Sequence, residues 1–527
     1  MARAVSIANH QRSPMRDFTA DEIAAALHVQ RSAFLRDGPP TVAVRRDRID
    51  RLAALTLENA DEFTHAMSQD FGNRSIQAAT VSDILGSITD VALIRRNLKK
   101  WMKPRDIMPV MRAIGVRTRV QARPLGVVGV VAPWNFPVLL LTQPATAAFA
   151  AGDRVMMKAS EVTPRTAALL HELAPRYFSP EELVVVTGGR ETGEAFCSMP
   201  FDHLLFTGSP GVGKHVQRSA AEHLVPVTLE LGGKNPVVIG RDANIDTAAS
   251  RVARARMMNG GQVCLCPDYI FVPADRLEEF AGAVVRQFRT SFPTVLHNLM
   301  HCTIVDDHNF QRVVGLVEDA RAKGATVIEA VPEGETLPSA AQRCIAPTVL
   351  TNMSDDMRVM SEEVFGPVLT VLPYRNLDDV IGYINTRPSP LACYWFGKDS
   401  ADFRRFCART RTGGITRNDF LLHAAVDGAP FGGVGGSGMG SYHGKAGFDT
   451  FSQYRAVSES RLPGSATALF VPPTHTRLMT AVDWIVRKQA TRVRKRINRF
   501  QGPSGDGAFG TQNVTEIAST AVNMRTR

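Results

Sequence analysis

A cysteine and a glutamate near the middle of the chain could together carry out acyl chemistry through a thioester. Cys264 ends the glycine-rich string Asn259-Gly-Gly-Gln-Val-Cys264, and Glu230 opens the turn Glu230-Leu-Gly-Gly233, 34 positions before the cysteine. A thiolate attacks an electrophilic carbon, and a carboxylate can later activate the water that releases the acyl group. Taken singly, such a cysteine is more often a small buried hydrophobe and such a glutamate a solvated charge. The pair is a hypothesis that the surrounding chain has to support.

A glycine-rich string further upstream could bind a phosphate group. Phe206-Thr-Gly-Ser-Pro-Gly-Val-Gly213 precedes a segment, 214–223, that we predict to be helical. Glycines let the backbone approach a phosphate, and a helix N-terminus offers free N–H groups and the positive end of its dipole. The string has neither the G-x-G-x-x-G spacing of a simple dinucleotide fold nor the pattern of a P-loop. An ordinary turn before a helix therefore stays an alternative.

The spacing of apolar residues predicts helices first, and then strands alternating with helices. Residues 21–34 and 42–70 carry apolar side chains at three- and four-residue spacing, which is typical of amphipathic helices. A second series of strands and helices runs from Asn235 to about Phe431. A short apolar, β-branched run predicts a strand at 126–131, and similar short runs predict strands at 154–158, 183–186, 269–272 and 368–372. This alternation is typical of parallel α/β sheets.

Length and composition place the chain among ordinary globular proteins. Its 527 residues exceed the size of one hydrophobic core, so we expect at least two domains. Hydrophobic residues make up 44% and charged residues 21%, which argues against a disordered chain. Seven scattered cysteines do not suggest a disulfide framework, and no secretory signal or membrane-spanning apolar run is visible. We therefore expect a soluble, cytoplasmic protein.

The positive charge is concentrated in the C-terminal tail. Residues 456–527 hold 11 Lys and Arg against 4 Asp and Glu, so the tail supplies +7 of the total net charge of +10. The remaining chain makes no electrostatic case for nucleic-acid binding. Residues 477–500 are predicted to form a basic helix with one apolar side made by Leu478, Val482, Ile485, Val493 and Ile497. Such a helix either contacts an anionic membrane surface weakly or packs on its own protein.

Seven strings, taken together, resemble the aldehyde dehydrogenase superfamily over about residues 20–455. They occur in the family's order and at its spacing, so the set is far more specific than any one member: Pro133-Trp-Asn135, Lys158-Ala-Ser-Glu161, Phe206 to Gly213, Glu230 to Gly233, Gly261-Gln-Val-Cys264, Glu363-Val-Phe-Gly-Pro367 and Pro430-Phe-Gly-Gly433. The end of the region is similar to the branch that contains coniferyl-aldehyde and class-3 (aromatic and fatty aldehyde) dehydrogenases. It reads Gly435-Gly-Ser-Gly-Met-Gly-Ser-Tyr-His-Gly-Lys445, followed by Phe448-Asp-Thr-Phe451.

The resemblance implies an α/β fold with a Rossmann-variant cofactor domain, an α/β catalytic domain and a β-arm that forms a homodimer. Residues 17–233 would form the dinucleotide-binding domain, with the N-terminal helices and part of the arm near 105–125. Residues 234–430 would form the catalytic domain. Residues 431–455 would return to the cofactor domain and the arm, and 456–527 would be the basic tail.

The resemblance also implies a role for each matched residue. Cys264 is the expected nucleophile, Glu230 the general base, and Asn135 with the backbone N–H of Cys264 the oxyanion hole. Lys158 and Glu161 resemble the pair that holds the adenosine ribose. Further expected cofactor contacts are Trp134, Gly208, Ser209, Gly213, Glu363 and Phe365. The implied cofactor is NAD or NADP, with NAD preferred because Glu161 can bond both ribose hydroxyls, and no metal is implied.

The implied reaction is oxidation of an aldehyde to its carboxylic acid through a Cys264 thiohemiacetal and thioester, hydrolysed with Glu230 as base. The expected substrate is an aromatic, allylic or medium- to long-chain aldehyde, with a coniferaldehyde-like compound as the first choice. Two alternatives stay open. A CoA-acylating relative would not need Glu230 as a base, and a non-catalytic scaffold that binds through its tail would not need the intact set of Cys264, Glu230 and Asn135.

Three positions depart from the family's pattern. Pro210 stands where threonine is common, and Ala159 replaces the usual proline after the ribose lysine. Cys266 is unusual two residues after the nucleophile. It is either a bystander or the partner of Cys264 in a reversible disulfide that would silence the enzyme.

Overall fold

A computed structural model describes residues 16–462, 465 and 476–500. Its α-helices, numbered in chain order, are α1 Ala20–Asp37, α2 Val42–Glu58, α3 Ala60–Phe71, α4 Ile76–Ala79, α5 Val91–Trp101, α6 Leu139–Ala151, α7 Pro164–Tyr177, α8 Arg190–Cys197, α9 Pro210–Ala221, α10 Ile245–Met257, α11 Leu277–Ser291, α12 Asp307–Ala322, α13 Arg358–Ser361, α14 Leu377–Asn385, α15 Ala401–Arg409, α16 Leu422–Ala425, α17 Gly444–Thr450 and α18 Thr476–Phe500. A π-helical turn, Thr80–Leu85, and short 3-10 turns lie between them.

The strands belong to three sheets. In chain order they are β1 Arg105–Ile107, β2 Val116–Pro124, β3 Val127–Val131, β4 Arg154–Lys158, β5 Leu183–Val186, β6 His203–Gly208, β7 Val227–Leu231, β8 Asn235–Ile239, β9 Pro267–Pro273, β10 Thr326–Glu329, β11 Thr348–Thr351, β12 Val368–Tyr374, β13 Ala392–Phe396, β14 Gly414–Arg417, β15 Gly438–Met439 and β16 Ser452–Ser460. The strands that the sequence predicts at 126–131, 154–158, 183–186, 269–272 and 368–372 are confirmed.

The six-stranded sheet has the order β15-β7-β6-β3-β4-β5. Its pairings are parallel, except that the short β15 runs antiparallel to β7. Carboxyl ends of parallel strands meet at one edge, and the chain changes its direction of winding between β3 and β6. The segments after β3, β4 and β6, which carry Asn135, Glu161 and Ser209, therefore lie at the same edge.

The seven-stranded sheet has the order β10-β11-β12-β9-β8-β13-β14, with only β10 antiparallel among its described strands. Every residue of β8 and β9 is buried, as expected for central parallel strands covered on both faces. Because β8, β9 and β12 are parallel neighbours, their amino ends share one edge. Glu230 lies within β7 and not, as the sequence suggested, on the turn; the turn that follows it, 232–234, leads into β8. Cys264 lies just before β9, and Glu363 lies just before β12. The fold thus brings together three segments that are far apart in sequence.

Two predicted helices have different bounds in the structure. The stretch 42–70 forms two helices that meet at Asn59, whose side-chain amide donates to the Leu55 carbonyl at 2.8 Å and whose backbone is not helical. The helix predicted for 214–223 begins at Pro210 instead. Ser209 caps it by accepting from the Val212 N–H, and proline suits the first helical position because its missing N–H would be free there anyway.

Residues 106–118 and the described residues after 457 form a second compact unit. Within it, the Arg461 N–H donates to the Gly115 carbonyl at 2.7 Å, and the Thr118 and Ser458 hydroxyls bond at 2.9 Å. The predicted basic helix is confirmed as α18, although the Leu478 side chain and residues 501–527 lie outside the described part. No helix among the described residues is long and apolar enough to cross a membrane.

Candidate active site

A tight left-handed turn carries Cys264 into β9. Gly260 and Gly261 have φ angles of 65° and 81°. A Cβ on Gly261 would collide with the carbonyl oxygen of Gly366, and one on Gly260 would lie 2.5 Å from the carbonyl oxygen of Cys302. Only glycine tolerates both this conformation and this proximity. The glycines before the cysteine are therefore explained by packing between two other segments.

The thiol of Cys264 shares its surroundings with two carboxylates. Burial raises the pKa of Cys264 above its ordinary value, and the nearby Glu363 and Glu230 raise it further. The resting thiol is therefore protonated at neutral pH, and its attack on a carbonyl carbon requires loss of that proton. The structure thus brings together the three residues that the sequence places before β8, β9 and β12.

Glu230 lies on β7 and is buried, with 2% of its surface exposed. Neither of its carboxylate oxygens has a hydrogen-bond partner of good geometry within the described residues. Burial raises the pKa of Glu230 well above its usual range, and the backbone N–H of Gly433 offsets this in part. A carboxyl group in such an environment can act as a proton acceptor near neutral pH, as required of a general base.

Asn135 is attached to the nucleophile turn. Its side-chain amide donates to the Gln262 carbonyl at 3.2 Å, and the Asn259 amide donates both to the Asn135 carbonyl at 3.1 Å and to the Gln262 carbonyl at 3.3 Å. The Gln262 side chain in turn donates to the Thr303 carbonyl at 3.0 Å. One N–H of the Asn135 amide is therefore used to orient the group, which leaves the other available to a developing oxyanion.

The residues expected at the adenosine end lie at the carboxyl edge of the six-stranded sheet. Lys158 is buried, and its ammonium group donates to Glu161 at 3.3 Å and to the Ala159 carbonyl at 2.8 Å, so a solvated strand end is excluded. The N-terminus of α9 follows β6 directly at Gly208 and Ser209. A Cβ on Gly211, in the first turn of α9, would meet nothing within 4 Å. This open backbone at a helix N-terminus fits a pyrophosphate group.

The end of the expected cofactor site opposite the adenosine end holds a cluster of aromatic and acidic side chains, namely Trp134, Phe365 and Glu363. The rings of Trp134 and Phe365 meet edge to face at 5.5 Å, and Phe365 has a φ of 47°, a strained conformation for a bulky residue. A Cβ on Gly232 would collide with the carboxylate of Glu363, so glycine allows the carboxylate to lie over the turn. Burial raises the pKa of Glu363 to about 8, and the negative charge of Asp268 contributes to this rise.

Gly213 likewise allows α9 to pack on Leu231, because a Cβ on Gly213 would lie 2.6 Å from that side chain. These features fit a dinucleotide that extends from α9 to Glu363.

Sequence reasoning does not single out four residues that hold the site together. Asn259 and Gln262 lie inside the string that ends at Cys264, and this position is the sequence feature that could have identified them as supporting residues. Lys234 and Asp268 form a buried ion pair beside Glu363. Only the position of Lys234 directly after the Glu230 turn could have pointed to this pair.

Two other residues near the site each have a polar side-chain atom bonded locally. The Cys266 thiol donates to the Ala255 carbonyl on α10 at 3.3 Å, and burial raises the pKa of Cys266 to about 12. His423, a histidine with no role assigned by sequence, bonds through Nδ1 to the Thr416 hydroxyl at 2.7 Å. Neither interaction gives the residue a part in the chemistry.

Comparisons with known proteins agree with this geometry. Residues 8–457 match the model of the aldehyde dehydrogenase family. A coniferyl aldehyde dehydrogenase from Pseudomonas sp. (strain HR199) is 44% identical over 438 residues, which cover 83% of this chain and 91% of that protein. The substrate-bound AldH of Staphylococcus aureus superposes with a TM-score of 0.81 at 30% identity, covering 88% of this chain and 99% of that one. An aldehyde dehydrogenase of Mycobacterium tuberculosis complexed with NAD+ gives a TM-score of 0.73 at 29% identity, with 84% and 90% covered. The α/β fold implied by the resemblance is confirmed, and the chain belongs to the aldehyde dehydrogenase family, as an enzyme that oxidises aldehydes with NAD(P).

Proposed function

We propose that this enzyme converts its aldehyde to a carboxylic acid with Cys264 as nucleophile, Asn135 as oxyanion donor and Glu230 as base. The observation that carries this proposal is the attachment of the Asn135 amide to the carbonyl two residues before Cys264, together with the burial of Glu230, whose carboxylate has no hydrogen-bond partner of good geometry among the described residues. A thiol, an oriented N–H donor and a proton acceptor are the parts that acyl transfer needs.

The residues act in a fixed order. The Cys264 sulfur bonds to the aldehyde carbon while the thiol proton passes to water, and the new oxyanion accepts hydrogen bonds from the Asn135 amide and the Cys264 backbone N–H. NAD(P)+, when held by the cofactor contacts named below, would supply the hydride acceptor for that carbon. Glu230 then takes a proton from water, the hydroxide attacks the thioester carbon, and the carbon–sulfur bond breaks to release the acid. The balance is aldehyde, NAD(P)+ and water giving acid, NAD(P)H and a proton.

We assign the cofactor contacts as the resemblance implies, and we propose a preference for NAD. Glu161 lies beside Lys158 and is 46% exposed at its side chain, so its carboxylate is available to two ribose hydroxyls and would repel a 2′-phosphate. The remaining contacts are Trp134, Gly208, Ser209, Gly213, Glu363 and Phe365, at the two ends described above.

The substrate we propose first is a coniferaldehyde-like compound, which the 44% identical coniferyl aldehyde dehydrogenase supports. A panel of cinnamyl, benzyl and aliphatic aldehydes assayed by absorbance with NAD+ and with NADP+ tests the proposal. The highest kcat/KM is expected for a cinnamyl aldehyde with NAD+. Turnover that depends on CoA would support the acylating alternative instead, and a parent enzyme that oxidises no aldehyde would overturn the assignment.

We also propose the domain limits that the resemblance implies, with 17–233 binding the cofactor, 234–430 catalytic and 431–455 returning. The described strands are consistent, since the parallel strands of the six-stranded sheet come from 127–231 and the strands of the seven-stranded sheet from 235–417. A homodimer through the third sheet, which has three strands in the order β1-β2-β16, is supported by β16, an edge strand with mostly exposed residues. A cytoplasmic location is supported by the cysteines, all of which are free.

The tail helix is the candidate for a weak membrane-surface contact. Its exposed side chains include Val482, Ile485, Val493 and Ile497 as well as many arginines, and Lys488 stacks over Trp484 at 4.3 Å. Apolar residues beside cations suit an anionic lipid surface. Flotation with vesicles containing phosphatidylglycerol should be lost when the chain is truncated after Phe451, and equal flotation of both proteins would dismiss the contact.

A further inference from the structure

A buried ion pair lies where three segments of the site meet. Lys234 ends the turn that joins β7, which carries Glu230, to β8, and Asp268 lies in β9, four residues after Cys264. The third segment, 359–364, precedes β12 and carries Glu363. Because β8, β9 and β12 are parallel neighbours, the pair occupies the shared edge of the three strands.

The ammonium group of Lys234 uses all of its donors at this edge. It bonds to one carboxylate oxygen of Asp268, to the Val359 carbonyl at 2.8 Å and to the Glu362 carbonyl at 3.0 Å. An ammonium group has three N–H donors, and three acceptors surround it. Lys234 therefore connects β9 with the segment just before Glu363.

Asp268 holds the backbone on the C-terminal side of Glu363. Its second carboxylate oxygen accepts the Val364 N–H at 2.9 Å. Arg312 adds two further contacts, donating to the Glu363 carbonyl at 3.1 Å and to the Val364 carbonyl at 2.9 Å. The backbone on both sides of Glu363 is thus held by charged side chains, while its carboxylate lies over Gly232.

Stability alone does not account for this arrangement. Moving two charges out of water costs several kcal/mol per ion, and a buried ion pair is on balance a weak source of stability. In some proteins such a pair serves instead to select one geometry among several, and we take that as its role here. Here the geometry it defines is the position of Glu363 relative to the turn of Glu230 and the segment of Cys264.

We propose that Lys234 and Asp268 are positioning residues that hold Glu363 in the cofactor half of the site. The inference rests on the proposed function, because it takes Glu363 as a cofactor contact. Loss of the pair should weaken cofactor binding and slow aldehyde oxidation, and it should spare the thioester chemistry of Cys264 and Glu230. A general loss of folding would instead reduce both halves together.

The test measures two properties of the same variant: cofactor binding with aldehyde oxidation, and the thioester chemistry of Cys264 and Glu230. Hydrolysis of p-nitrophenyl acetate without cofactor uses Cys264 and Glu230 but not Glu363. For Lys234→Met we expect NAD+ to bind about tenfold more weakly by titration calorimetry, and aldehyde oxidation to slow by about 10- to 100-fold, as a displacement of about 1 Å can do. Ester hydrolysis should stay within about twofold of the parent. Lys234→Arg keeps the charge and the donors and should recover part of the NAD+ affinity.

A matched control breaks a remote pair of similar burial. Arg48 bonds to Glu182 at 3.0 Å, with side chains 7% and 19% exposed. Arg48→Met should not weaken NAD+ binding more than it slows ester hydrolysis. If Lys234→Met does not fold, Asp268→Asn keeps an oxygen for the Val364 N–H but removes the charge that holds Lys234, and the same comparison applies. Unchanged NAD+ affinity, or parallel loss of NAD+ binding and ester hydrolysis, would overturn the inference. Failure of the proposed function would show separately, as a parent that oxidises no aldehyde.

Discussion

The side-chain amide of Asn135 donates to the backbone carbonyl of Gln262 at 3.2 Å, and Gln262 precedes Cys264 by two residues. The proposed oxyanion donor and the proposed nucleophile therefore belong to one hydrogen-bonded unit, although 129 positions separate them in the sequence. A displacement of either residue would carry the other with it. This coupling means that the donor needs no further reorganisation when the oxyanion forms.

Replacing Asn135 tests the oxyanion assignment. Asn135→Ala should lower kcat by about 10²- to 10³-fold, or roughly 3–4 kcal/mol, because one preorganised donor is lost. Steady-state kinetics with a saturating aldehyde measures the effect. Asn97→Ala removes an amide that bonds only to the Leu93 carbonyl on α5, and it should leave kcat within about twofold. A similar small effect at both positions would contradict the assignment.

Replacing Glu230 separates the two halves of the reaction. Glu230→Gln cannot accept a proton from water, so hydrolysis of the thioester should become rate-limiting. Rapid mixing is expected to show a burst of NAD(P)H close to one equivalent per active site, followed by slow turnover. Intact-mass measurement should then find the acyl group on Cys264. Slow turnover with no burst would mean that Glu230 acts before the thioester forms.

Glu363 should make the cofactor-free enzyme less stable as pH rises. Its folded pKa of about 8 lies above the ordinary value of 4.5, so between these values the folded state keeps a proton that the unfolded chain has lost. The free energy of unfolding then falls with pH, by at most about 1.4 kcal/mol per unit, and levels off above pH 8. Glu363→Gln removes this dependence, so its thermal midpoint should exceed that of the parent by a margin that grows from pH 5 to pH 8. A margin independent of pH would refute the shift.

Glu161 should contribute to the choice of cofactor. Glu161→Gln removes the charge that would repel a 2′-phosphate, so the ratio of kcat/KM with NADP+ to that with NAD+ should rise by roughly fivefold, or about 1 kcal/mol at an exposed site. Glu172→Gln is the control, because Glu172 pairs with Arg176 on the surface of α7. A ratio that moves equally in both variants would argue against a role for Glu161.

Cys266 should behave as a bystander. Its thiol donates to the Ala255 carbonyl, and its raised pKa keeps it protonated. After mild peroxide treatment, intact-mass and peptide measurements should show no two-proton loss in the peptide that contains Cys264 and Cys266. Cys266→Ala should retain the parent's kcat. A mapped disulfide that thiols reverse, with recovery of activity, would establish the redox switch instead.

The sequence by itself determined the elements and the chemical types of the site. Short runs with an apolar centre located strands such as 154–158 and 183–186 at their observed bounds, because local side-chain pattern decides strand formation there. The motifs around Cys264, Glu230 and Asn135 also indicated thioester chemistry. Local signals were less informative at helix boundaries. Asn59 divides one predicted helix by bonding back to the backbone, and Ser209 with Pro210 starts α9 four residues early.

Only the tertiary structure decided which residues support the chemistry. The order of the neighbouring strands β8, β9 and β12 brings Lys234, Asp268 and the segment of Glu363 to one edge, and strand order is not encoded in any local pattern. Burial likewise sets the proton affinities of Glu230 and Glu363, because desolvation depends on what packs around a carboxylate and not on its neighbours in sequence. The sequence motifs were enough to identify Cys264 and Glu230 as a pair. The contacts that orient the two side chains form only when segments distant in sequence pack together.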